Sequence, residues 1–129
     1  MKLTKEDKEL IIKARFLVNK KKIYSGELKA VGSALISKKG KIFTGTNMDF
    51  WCGVGFCAES SAISNMVSHS DETEIETIVA SSNSRIMPHC GRCREVMALL
   101  DKRNLKNTEV IVSNSKKVKL GELIPHDWR

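Results

Sequence analysis

Apolar positions recur at helical spacing near the start of the chain. Leu10, Ile11, Ala14, Leu17 and Val18 share one face, Thr4 stands where an N-cap belongs, and together they predict a helix over 4–22. The period then changes. "AVGSALIS" (30–37) and "KIFTG" (41–45), joined across "KKG", predict a β-hairpin. Glycines and mixed polarity predict a loop over 45–55. Ala58, Ala62, Ile63 and Met66 predict a second helix over 57–68, and "ETEIETIVA" (72–80) ends as a strand. A loop follows over 81–89, where Pro88 breaks the chain before a third helix over 90–102 with Val96, Met97, Leu99 and Leu100 inside. "TEVIVSN" (108–114) predicts a strand and "KKVKL" another. "LGELIPHDWR" closes the chain as a short helical turn and a tail.

Strands alternating with helices predict an α/β sheet covered on both faces. The second and third helices each follow a loop from a strand, so their N-termini are expected at one edge of the sheet, where ligands tend to bind. No internal repeat or low-complexity segment interrupts this order.

The chain has 129 residues, 41% hydrophobic and 29% charged, which predicts one ordinary globular domain over 1–129. No apolar run approaches the roughly 18 residues of a membrane helix. "MKLTKEDKEL" carries acids where a signal peptide needs an apolar core, so the expectation is a cytoplasmic protein without membrane association. Four cysteines in such a chain point to metal or catalysis rather than to a disulfide framework. Net charge is +7, with lysines gathered in "NKKK" (19–22), "KKGK" (38–41) and "SKKVK" (115–119). Aromatic residues are only 5% and none lies between those lysines as a stacking platform would require. The lysines therefore read as solvated faces, and nucleic acid is not the expected partner.

The candidate chemistry lies in "CAES" (57–60) and "PHCGRC" (88–93). Cys90 and Cys93 stand three apart at a helix start, and Cys57 starts the other helix. Three thiolates fill three of zinc's four tetrahedral positions and leave the fourth for water. Glu59, in the same first turn as Cys57, can take a proton from that water and deliver it to a leaving group. Two rival readings stay open at this point. Cys52 can close a four-cysteine structural site, with Glu59 an ordinary first-turn acid, or the cysteines can be buried apolar residues. His89 reads as a loop or helix-start residue, and Phe50, Trp51 and Phe56 as core or pocket wall.

With "KIFTGTN" (41–47), "CAE" (57–59), "CGRCRE" (90–95) and "ELIP" (122–125), the chain resembles the cytidine deaminase superfamily. Within it, the similarity runs nearest to the blasticidin S deaminases. The resemblance implies a three-layer α/β/α sandwich with a mixed sheet of about five strands. It implies one Zn²⁺ per chain on Cys57, Cys90 and Cys93, and Glu59 as the catalytic acid–base. It also implies hydrolytic deamination of a cytosine-type base in a small nucleoside such as cytidine, deoxycytidine or blasticidin S. A structural-zinc nucleic-acid-binding domain and a deaminase of bases in RNA or DNA are the alternatives. Asn47 and Asp49 are expected on the sugar, backbone near Ala58 on the base, and Arg85 on an acidic part of the substrate. Three positions depart from the pattern: His89 replaces the proline before Cys90, Asp49 a glutamate, and Ser60 an arginine. Arg92, Arg94 and Arg85 are the cations expected to offset the negative charge of three thiolates on zinc. Small single-domain members form homotetramers with pockets at subunit borders. Trp128, turned out by Pro125 near the chain end, is then expected to close a pocket, its own or a neighbour's, or else to pack on its own subunit's outer face.

Overall fold

The computed structural model describes residues 1–129. Helix α1 (Lys5–Phe16) opens on a capping box: the Thr4 side chain accepts from the Asp7 backbone at 3.2 Å while the Asp7 carboxylate accepts from Thr4 N at 2.8 Å. Such a cap contributes ~1 kcal/mol. The helix stops short of the residue 22 expected from the apolar spacing. Asn19 N bonds Lys29 O, and Lys21–Ile23 forms strand β1. "NKKK" has no apolar residue for a continued helix to bury, and pairing with the next strand satisfies its backbone instead.

Strand β2 (Gly26–Ser37) is the axis of the sheet. It pairs antiparallel with β3 (Ile42–Phe50) along one edge. Along the other it pairs antiparallel with β1 through Gly26–Leu28 and with β4 (Ile75–Ser81) through 32–37. Strand β4 then pairs parallel with β5 (Glu109–Ile111), which pairs antiparallel with β6 (Lys117–Lys119). The mixed sheet has six strands; five lie side by side, and β1 shares an edge of β2 with β4. The expected loop over 45–55 is half strand, because β3 continues to Phe50.

Alternation along the strands sorts the core into two layers. Ala34, Val79 and Ile111 face α1, against Leu10, Ile11 and Ala14. Their neighbours Leu35, Ile78 and Val110 face the other way, into a cluster with Ala62, Ile63 and Met66 of α2 (Ala58–His69) and Met97 of α3 (Gly91–Leu100). This is the expected α/β/α sandwich. Two glycines let the layers close. A Cβ on Gly32 would lie 2.0 Å from Ala14 O, and one on Gly45 would lie 2.5 Å from Ala62 N. A short helix α4 (Arg103–Asn107), not expected from the apolar pattern, and a 3₁₀ turn (Leu120–Leu123) complete the α3 side. No helix is long and apolar enough to cross a membrane.

Because β3 and β4 both run antiparallel to β2, they point the same way. The chain leaves β3 for α2 and β4 for α3 at the same edge of the sheet, so the two helix N-termini converge there.

Candidate active site

Cys57 is the N-cap of α2 and Cys90 the N-cap of α3; neither side chain makes a capping hydrogen bond. Both sulfurs are thus left for one another: Cys57 Sγ lies 3.5 Å from Cys90 Sγ, and Cys90 Sγ 3.6 Å from Cys93 Sγ. All three sulfurs lie within 4.8 Å of one another. Zinc bound tetrahedrally at ~2.3 Å per sulfur needs sulfurs about 3.8 Å apart, so the triad fits the ion with little adjustment. The thiol chemistry points the same way. Burial, and beside it the Glu59 charge, pushes Cys93 far above the ordinary thiol range, and burial with the Cys90 contact raises Cys57. Burial acts on Cys90 too, but the Cys93 backbone N–H and the two neighbouring sulfurs outweigh it and bring Cys90 below that range. Thiols this close resist ionising together, and a dication removes the conflict.

Cys52 is exposed in the turn after β3 and stands outside this sulfur group. The four-cysteine structural site therefore has no support in the geometry, and a zinc ion held by these three sulfurs would keep a fourth position for another ligand.

A cavity of about 370 Å³ opens over Cys57 and Cys90, with Cys93 buried behind them. Val31, Met48, Phe56, Met87 and Pro88 give it apolar walls, while Asn47, Asp49, Glu59 and Arg92 bring polar groups to it. Its size and mixed lining suit a small organic ligand. Ala58, buried in the first turn of α2, lines it beside Glu59. Of the three aromatics read as core or wall, only Phe56 lines it; Trp51 is 81% exposed.

Glu59 is 5% exposed, and its Oε2 lies 2.6 Å from Nδ1 of His89. Burial pushes this carboxyl up, but the hydrogen bond and the charge of His89 outweigh that and hold it below the usual carboxylate range. His89 lies in the loop directly before α3, as expected, but its side chain is buried against Glu59; the pairing was not foreseen, and its position directly before Cys90 was the available signal.

Asn47 lies on β3, and its Oδ1 accepts from Val31 N at 2.9 Å. That bond closes a bulge in β2 between Leu28 and Gly32, where Lys29 takes φ 57°. With the oxygen spent, the Asn47 amide N–H₂ is the group left for the cavity. Asp49 is exposed at the cavity's rim.

The other expected residues lie elsewhere. Arg85 is exposed in a serine-rich turn, where its carbonyl accepts from Ser82 N at 2.9 Å, and it does not line the cavity. Trp128 is 74% exposed and stays outside its own chain's cavity. Its Nε1 donates to Glu95 Oε2 at 2.7 Å, and Arg129 pairs with the same carboxylate, so the tail docks on the outer face of α3. Arg92 reaches Ser60 Oγ at 3.3 Å on the cavity wall. Arg94 turns away from the cavity, donating to His89 O at 2.7 Å and Leu123 O at 3.2 Å. Of the three expected cations, Arg92 alone faces the site.

The cytidine and deoxycytidylate deaminase zinc-binding region matches residues 4–108. A cytidine deaminase of Halalkalibacterium halodurans is 31% identical over 100 residues, 74% of this chain and 74% of that protein. A probable cytidine deaminase of Dictyostelium discoideum is 37% identical over 67 residues, 50% of this chain and 46% of that protein. Among solved structures, a cytidine deaminase of Burkholderia pseudomallei superposes with a TM-score of 0.61 at 30% identity, covering 74% of this chain and 79% of that one. One from Mycobacterium tuberculosis gives 0.67 at 22%, covering 77% and 78%, a likeness of fold.

Proposed function

The chain belongs to the cytidine and deoxycytidylate deaminase family and carries its zinc-binding site, and from that premise we propose that it hydrolyses the C4 amine of a cytosine base in a small nucleoside. The products are the uracil-type nucleoside and ammonia. Cytidine, deoxycytidine and a cytosine nucleoside antibiotic such as blasticidin S are the substrates in view. The observation that carries this reading is Glu59, a buried carboxylate lining a nucleoside-sized cavity in the same helical turn as Cys57.

Cys57, Cys90 and Cys93 would hold a zinc ion, which would supply Lewis acidity and lower the pKa of water at the site. Glu59 takes a proton from the attacking water and returns it to the departing amine. The apolar walls at Phe56 and Met87 exclude bulk water and strengthen these charge interactions. Backbone at Ala58, in the first turn of α2, orients the base. The Asn47 amide donates to a sugar hydroxyl, and Asp49 accepts from one at the rim.

Arg85 and Trp128 take part only through a second subunit. A homotetramer with pockets at subunit borders is the assembly proposed, and exposed Tyr24, Trp51 and Val54 support an interface near the cavity mouth. A single domain is supported by one sheet joining elements from residue 21 to 119. Four free thiols suit the reducing cytoplasm.

The test is ammonia release by the zinc-loaded chain from cytosine, cytidine, deoxycytidine, blasticidin S and a short single-stranded oligonucleotide. Release from a nucleoside with stoichiometric uracil-type product supports the reading. One zinc per chain with no release from any nucleoside would overturn it in favour of a structural metal.

A further inference from the structure

We infer that His89 is a positioning residue for Glu59: its Nδ1–H holds one carboxylate oxygen and aims the other into the cavity. The inference rests on the reading of Glu59 as the proton-handling carboxylate and adds a partner that the family's signature, with proline at this position, does not supply.

The geometry has three parts. First, the His89 side chain is fully buried and does not line the cavity, whereas Glu59 does. The imidazole therefore stands behind the carboxylate, on the protein side. Second, Nδ1 lies 2.6 Å from Glu59 Oε2. A carboxylate can only accept, so the proton of this bond sits on Nδ1, and Oε1 takes no part in it. Third, His89 Nε2 is buried without a hydrogen-bond partner. A histidine kept only to fill space would be better replaced by an apolar side chain, since burying an unpaired ring nitrogen is unfavourable. The ring's one polar contact is with Glu59.

The backbone around His89 is fixed to match. Arg94 Nε donates to His89 O at 2.7 Å, and Arg94 also holds Leu123 O, tying the segment before α3 to the 3₁₀ turn. The ring is thus carried on an anchored backbone. Glu59 is fixed from below by the first turn of α2 and from behind by this ring. A carboxylate with one oxygen held has its second lone-pair direction set before substrate arrives, and such alignment governs proton-transfer steps.

Two variants and one spectroscopic measurement test this. His89→Leu removes the donor and keeps the bulk, while His89→Asn returns an N–H at the Nδ1 position. On cytidine, deoxycytidine and blasticidin S with zinc-loaded protein, His89→Leu is expected to lose roughly ten- to a hundredfold in kcat with KM within about twofold. His89→Asn should recover most of that loss, and both should keep one zinc per chain. In the metal-free and zinc-loaded chain alike, ¹⁵N–¹H spectra of the histidine side chains should show a slowly exchanging, downfield Nδ1–H for His89 that moves in Glu59→Gln. This readout holds even if the leucine variant does not fold or no tested nucleoside is turned over. Full kcat in His89→Leu, no rescue by asparagine, or a proton found on Nε2 and not on Nδ1 would each overturn the inference. Full activity in Glu59→Gln would instead sink the proposed function, so the two failures are distinguishable.

Discussion

Replacing Glu59 with glutamine is the sharpest perturbation the site permits. Glutamine has the same length and nearly the same volume, and its carbonyl can still accept from His89 Nδ1, now 2.6 Å from Glu59 Oε2. What changes is the atom offered to the cavity: an amide N–H₂ that can neither take nor return a proton. General acid–base catalysis is worth roughly 10²- to 10⁴-fold in rate. At ~1.36 kcal/mol per decade this corresponds to about 2.7–5.4 kcal/mol added to the barrier. The sulfur triad and the remaining cavity wall are untouched, so zinc content and KM should change by no more than a few-fold. The fold should weaken slightly, because His89 and its neighbours hold the carboxyl below the ordinary range against its burial. Exchanging that charge-assisted bond for a neutral one is expected to cost ~1 kcal/mol, a few degrees in Tm. The assay is initial-rate ammonia release across a range of nucleoside concentrations, with metal analysis and a thermal melt on the same preparation. A Glu59→Gln protein that keeps its zinc and turns over its best nucleoside within a few-fold of the parent would refute the reasoning.

Three further outcomes are expected. Cys90→Ala should lose or greatly weaken zinc binding while Cys52→Ser retains one ion per chain, checked by metal analysis after dialysis; loss of zinc in Cys52→Ser would revive the closed four-cysteine site. Gly45→Ala places a Cβ 2.5 Å from Ala62 N and should force α2 off β3, lowering stability by ~1–3 kcal/mol in urea unfolding; an unchanged midpoint would show that the layers are not packed this closely. Asp101 is held well below its ordinary value, first by the Arg103 guanidinium and then, against burial, by Thr73 and the Arg103 backbone N–H. Its contribution is therefore complete above the unfolded value near ~3.9 and is lost as pH falls towards the lower folded one. Asp101→Asn should accordingly be less stable than the parent by ~1 kcal/mol at pH 7, with the gap closing below about pH 4; a gap independent of pH would assign the effect to packing.

Local chemistry alone determined much of this protein. Thr4 marks the N-cap that starts α1, the spacing of Ala58, Ala62, Ile63 and Met66 marks the buried face of α2, and Cys57, Cys90 and Cys93 with Glu59 announce a metal site. These readings hold because each depends on residues within a turn or two of one another, or on donor types that zinc selects. Where partners come from distant segments, the sequence was mute. Lys21 and Lys22 were read as the end of the first helix but belong to strand β1, because β2 offers them a free edge. The close approaches at Gly32 and Gly45 mean something only once α1 and α2 lie on the sheet. Asn47 proved to close a bulge in β2 through Val31, and Trp128 docked on Glu95 outside its own cavity, both set by which backbone or side chain lay opposite. His89 is the clearest instance. Its place directly before Cys90 sets it near the sulfurs, but its pairing with Glu59 comes from the parallel run of β3 and β4, which delivers two helix N-termini to one edge of the sheet. Hydrogen bonds act over about 3 Å, and only the tertiary fold brings residues 59 and 89 within that reach.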